Sequence, residues 1–177
     1  MKNLFCGILF FLVFVSCKEE KDRELVYSED YVESLFSNVY DVKIPRNERL
    51  KSINRAYHIL QDRENDSLKR ALYFQLAGGF YNLEKYDKYF EVCKEVNAMS
   101  IEKNDTISIS KSLNFLGNYY YIHFKNDSAY YYYTKAEKMY QHNKQVGATT
   151  DRIGLYKANI LFYEKDFSGA ETAVVKI

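Results

Sequence analysis

Histidine and cysteine, the side chains that most readily serve as general base, nucleophile or transition-metal ligand, are few in this 177-residue chain, three of each. His58, His123 and His142 fall in three different segments. No two are four residues apart, and no cysteine or carboxylate joins them at metal-ligand spacing. The expectation is surface or groove histidines and no metal. Ala77-Gly78-Gly79-Phe80 holds the only pair of adjacent glycines, but a phosphate loop also needs a preceding strand, a lysine and a hydroxyl. Close packing of helices explains it better. Cys93 reads as a small apolar filler, because a nucleophilic thiol needs exposed, electropositive surroundings. These residues predict a protein that is not an enzyme, with no catalytic group, no cofactor and no small-molecule substrate.

Aromatic side chains are the abundant resource, with 18 Tyr and 12 Phe, including the runs Tyr119-Tyr120-Tyr121 and Tyr130-Tyr131-Tyr132-Tyr133. Their chemistry is that of binding. Tyr and Phe offer apolar area at small entropic cost, and an amide beside them both donates to and accepts from a peptide backbone. The elements that must position them are helices, since one Pro and seven Gly leave few breakers in a chain that is 47% apolar and 28% charged. Successive helical residues turn by about 100°, so a tyrosine run divides between core and surface.

The chain repeats itself at anchors Ala77, Gly117 and Ala158, spaced by 40 and 41 residues. Around Gly117 stand Leu113, Leu116, Tyr120, Ala129, Tyr133 and Ala136; the same offsets give Tyr73, Leu76, Phe80, Tyr89, Cys93 and Val96, then Gly154, Lys157, Leu161, Ala170, Val174 and Ile177. With the anchors, 18 of these 21 positions are apolar, which assigns them to buried helical faces. Small residues at Gly117 and Ala129 predict close approach of two helices, with Tyr120 and Tyr133 filling the space between hairpins. The clusters Asn65-Asp66-Ser67, Asn104-Asp105-Thr106, Asn126-Asp127-Ser128 and Thr149-Thr150-Asp151 predict helix caps.

This spacing resembles the tetratricopeptide repeat in an extended-helix form, the common period being 34. The resemblance implies an all-α fold, a solenoid of stacked antiparallel helix hairpins over residues 30–177. In that family the first helix of each hairpin lines a concave groove, at three before the anchor and one, four and five after it. Those offsets fall on Phe74, Gly78, Tyr81 and Asn82, on Asn114, Asn118, Tyr121 and Ile122, and on Leu155, Asn159, Phe162 and Tyr163. The candidate peptide-binding residues are Phe74, Tyr81, Asn82, Asn114, Asn118, Tyr121, Asn159 and Phe162. Asn118 and Asn159 match the position that grips ligand backbone in peptide-binding members; the alternative is that they hydrogen-bond a neighbouring helix.

A degenerate first hairpin is expected from Tyr31–Tyr40 and Asn47–Arg63, the second segment carrying Leu50, Ile53, Tyr57 and Leu60 on one face, with Pro45 near its start. The helix beginning near Asp166 stops at Ile177 without a polar cap, so the last repeat reads as incomplete, covered by a further segment or another molecule.

Residues 1–16 have the layout of a secretory signal peptide: Met-Lys-Asn, an apolar run from Leu4 to Val15, then Ser16 before Cys17. The run is too short for a comfortable membrane span. Phe14-Val15-Ser16-Cys17 resembles the lipobox of bacterial lipoproteins, which implies lipidation of Cys17, a tether over residues 17–29 and attachment to the outer membrane of a bacterial envelope. An ordinary signal peptide containing a cysteine is the plainer alternative. With residues 1–16 removed, 24 basic residues meet 24 acidic ones, which argues against a nucleic-acid partner. Only Cys93 then remains in the folded part, so no disulfide is expected. The sequence thus predicts an exported, lipid-anchored module binding a protein or peptide in its groove. The alternative is the extracytoplasmic input region of a sensor kinase or transcriptional regulator.

Overall fold

The computed structural model describes residues 29–144 and 147–175, which form eight α-helices and no strand. The leader 1–16, Cys17, the tether as far as residue 28 and Ile177 lie outside the described residues. The chain divides into two compact units, one up to Arg63 and one from Glu64.

In the first unit, α1 (Glu29–Tyr40) and α2 (Arg46–Gln61) form a hairpin. α1 buries Val32, Leu35, Phe36 and Val39, which lie three and four residues apart on one stripe. α2 buries Ile53, Ala56, Tyr57, Ile59 and Leu60. Pro45 precedes α2 and its carbonyl accepts from the Glu48 and Arg49 amides, so the missing proline N–H is not needed. Arg49 closes the hairpin by donating from Nε to the Val39 carbonyl at 2.7 Å, one of the carbonyls that a helix end leaves open.

The second unit holds three hairpins: α3 (Ser67–Asn82) with α4 (Tyr86–Glu102), α5 (Thr106–Ile122) with α6 (Asn126–His142), and α7 (Ala148–Tyr163) with α8 (Phe167–Val175). Three-residue connections leave each second helix no course but an antiparallel return. α4 also packs on α5, and α6 on α7, so consecutive hairpins stack. The anchors Ala77, Gly117 and Ala158 are buried. At Gly117 the reason is steric, since a Cβ there would lie 2.6 Å from the Tyr133 ring. Tyr133 and Tyr89 trade places with smaller residues. Where one hairpin has Ala129 and Tyr133, the other has Tyr89 and Cys93 at the same offsets, all four buried. The large ring has moved by one helical turn from one hairpin to the other. Burial pushes the Cys93 thiol well above its ordinary value, as suits a filler rather than a nucleophile.

The connections of the second unit follow one rule. Glu84, Asn104, Phe124, Lys144 and Lys165 take positive φ, between 52° and 63°, about twenty residues apart. After four of them the next amide reaches back five residues, Lys85 to Phe80, Asp105 to Ser100, Lys125 to Tyr120 and Asp166 to Leu161, each at 2.9 Å. This is the left-handed helix stop, made here without glycine.

Two of the expected caps form as read. Asp66 accepts from the Lys69 amide at 2.6 Å and Asp105 from the Ser108 amide at 3.0 Å. The other two differ. α6 starts at Asn126 itself, because the left-handed Phe124 returns the chain directly into helix, and Asn126 donates instead to Glu164 at 2.7 Å. α7 starts at Ala148 after Gly147, whose amide donates to Thr150 Oγ1 at 2.9 Å while that hydroxyl donates back to the Gly147 carbonyl.

Candidate functional site

The first helices of the three hairpins in the second unit, α3, α5 and α7, carry the eight predicted groove residues. Tyr121, Asn159 and Phe162 come together around one trough of about 770 Å³ between α5, α7 and α8. Asn159 donates from Nδ2 to the Tyr121 hydroxyl, and Tyr121 lies 4.9 Å from Tyr156, centroid to centroid. Asn118 accepts from the Tyr133 hydroxyl at 2.8 Å. Both asparagines therefore bond neighbouring helices, and Asn118 also hydrogen-bonds the Tyr89 phenol, so its amide is engaged on both sides.

Phe74 is buried rather than lining an accessible surface. It meets Phe115 edge-on at 5.5 Å, and the Lys111 ammonium covers its ring at 4.3 Å. Burial lowers the Lys111 pKa. Tyr81 remains 39% exposed, edge-on to Tyr86 and Tyr89 at 5.7 and 5.4 Å. Its phenol is raised above the usual tyrosine value by burial first, then by Tyr86 and Tyr156. Asn82 is exposed and Asn114 half-buried.

The structure adds residues that the offsets missed. Tyr156 joins Tyr121, Tyr133 and Tyr81 in a set of neighbouring phenols, and burial followed by those three neighbours pushes Tyr133 far up. Tyr156 sits two before its anchor, as Phe115 does, so the repeat itself carried that signal. Val174 was assigned to the core and is 49% exposed, because no described helix covers α8 on that side. Leu155, Phe167 and Val175, each more than half exposed, join it along the trough.

Among the described residues no three of His, Cys, Asp and Glu cluster to hold a metal. Buried Arg70 pairs with half-buried Asp105 at 2.9 Å and half-buried Lys157 with Glu137 at 2.8 Å, which holds α3 to the start of α5 and α6 to α7. What the face offers is aromatic area, amides and phenols.

No family profile matches the chain, and no curated protein does. Solved structures do resemble it. The apo form of RapI, a tetratricopeptide-like helical repeat protein, superposes with a TM-score of 0.70 at 17% identity, over 89% of this chain and 58% of RapI. BtubC (BKLC) of P. vanneervenii superposes with a TM-score of 0.61 at 18% identity, over 90% of this chain and 73% of its own length. The chain thus spans well under two thirds of RapI. Likeness at such identity is one of fold, and the fold is that of a tetratricopeptide-like all-α repeat.

Proposed function

We propose that this chain is a non-enzymatic interaction module, exported and anchored by lipid at Cys17, that binds a protein or peptide on the face built by α3, α5 and α7. The observation that carries the binding reading is the uncharged aromatic and amide surface of Tyr81, Tyr121, Tyr156, Asn159 and Phe162, which keeps exposed ring area and unused hydrogen-bonding capacity. Repeat folds of this kind present extended surfaces for partners. The lipobox-like Phe14-Val15-Ser16-Cys17 supports the anchor.

Partner capture by cross-linking from the native cell tests the reading, comparing wild type with the double variant Tyr81→Ala, Tyr121→Ala after both are shown to melt alike. The expected outcome is loss of one specific partner. Equal capture of every partner by both proteins contradicts the proposal. Recovery of a kinase or regulator segment would favour the sensor-input alternative.

A further inference from the structure

We propose that a second pocket, between α6, α7 and α8 on another face of α7 from the trough, holds a small molecule made of a flat aromatic ring and a carboxylate. The pocket has a volume of about 640 Å³, within the span of small-molecule sites, roughly 300–1,000 Å³. The repeat shows how it arises. One hairpin earlier, the same place between α4, α5 and α6 is filled: Tyr120 and Tyr132 stack at 5.3 Å, and Phe90 meets Tyr120 edge-on at 5.7 Å. A shift of 40 carries Phe90 to Tyr130, and a shift of 41 carries Tyr120 to Leu161, Tyr132 to Ala173 and Leu113 to Gly154. One ring persists as Tyr130, while the two stacked phenols opposite it have become aliphatic. The vacated space is that of two stacked rings. The earlier hairpins close it with side chains of their own three helices, so the place is not a seat for another helix of the stack.

Charge selects the other half of the ligand. Lys157 stands where Leu116 stood, its ammonium 2.8 Å from Glu137 Oε2 and 5.2 Å from the Tyr130 ring, so this pair is satisfied within the wall. Asp166 stands at the turn into α8, where its Oδ1 accepts the Gly169 amide at 2.9 Å. Lys138 lies two turns along α6 from Tyr130, about 12 Å, and its exposed ammonium has no partner among the described residues. A helical side chain leans toward its N-terminus, which brings the Lys138 stem back along the pocket that it lines with Gln141. A ring in the vacated space and a carboxylate on Lys138, with the Gln141 amide beside it, complement these groups.

The probe is phenylpropionate, titrated into the full chain with backbone amide NMR shifts as the readout. Saturable shifts are expected at Gly154, Ser168 and Gly169, and none at Asn159 or Phe162. Phenylpropylamine, with the same ring and the opposite charge, is expected to bind about fivefold more weakly. Lys138→Gln, at an exposed position, should remove that preference without changing the melting temperature. Leu161→Tyr combined with Ala173→Tyr restores the ring stack of the earlier hairpin and should abolish binding in a chain that melts no lower than wild type; should it melt lower, the Lys138→Gln comparison decides alone. No saturable shift, shifts centred on Asn159 and Phe162, equal binding of the two compounds, or binding that survives the restored stack each overturns the proposal. The outcome is independent of partner capture, because the pocket shares no residue with the face described above.

Discussion

At the scale of single residues, tyrosine and glycine divide one volume between them. The Tyr133 ring lies over Gly117, stacks on Tyr156 and donates to Asn118, so it has no room to retreat from an added methyl. Gly117→Ala is therefore expected to destabilise the chain by about 1–2 kcal/mol, even after the gain in helix propensity. Equilibrium denaturation measures this, and Tyr133→Leu in the same chain should recover part of the loss. A neutral or stabilising Gly117→Ala would mean that the contact is loose. Gly117 was readable as a close-approach position because the repeat offers a small residue at each anchor. Phe74 misled for a related reason: an offset names a helical face, but not the ring and the lysine stem that cover it. Asn118 and Asn159 could not be decided from sequence, since an amide's partner depends on which phenol the neighbouring helix brings near.

At the scale of elements, each helix stop between α3 and α8 places a residue with a side chain where glycine would be free of strain. Phe124, 90% exposed at φ 56°, is the most costly choice, since its ring does not offset the left-handed backbone. Phe124→Gly is expected to stabilise by about 0.5–1 kcal/mol, the relief being partly offset by a freer unfolded chain, and thermal melting checks the sign. Only Asn104 fell in a cluster flagged in the sequence; Glu84, Phe124, Lys144 and Lys165 are not residues from which a turn is read. The helices themselves were legible from apolar offsets alone. The start of α5 carries a second prediction. Burial alone would raise the Asp105 carboxyl, but the Ser108 amide and hydroxyl and the Arg70 guanidinium outweigh it and leave the pKa lowered. A lowered folded pKa contributes stability above the unfolded value, near 3.9, and that contribution is lost as pH falls through the folded value. Asp105→Asn should thus cost about 1–2 kcal/mol at neutral pH. Its deficit should shrink as pH drops below about 4. A deficit equally large in acid would contradict the charge-based account.

For the whole molecule, stacking is the organising fact, because an amphipathic helix pair cannot bury its outer face without a neighbour. The fold class could be read from the 40- and 41-residue spacing, whereas the exposure of Val174 could not, since sequence offsets mark it as core wherever a neighbour exists. The anchoring proposal predicts that Cys17→Ala abolishes labelling by a fatty-acid analogue and releases the protein from membranes; membrane retention without label would contradict it. The central claim is that one face, and not the rest of the surface, meets a partner. Photo-cross-linking with benzoylphenylalanine placed singly at Tyr81, at Phe162 and, on a different face, at Glu91 measures it in the living cell. The account predicts the same partner band at Tyr81 and Phe162 and none at Glu91. Equal bands at all three positions, or a band at Glu91 alone, would contradict it.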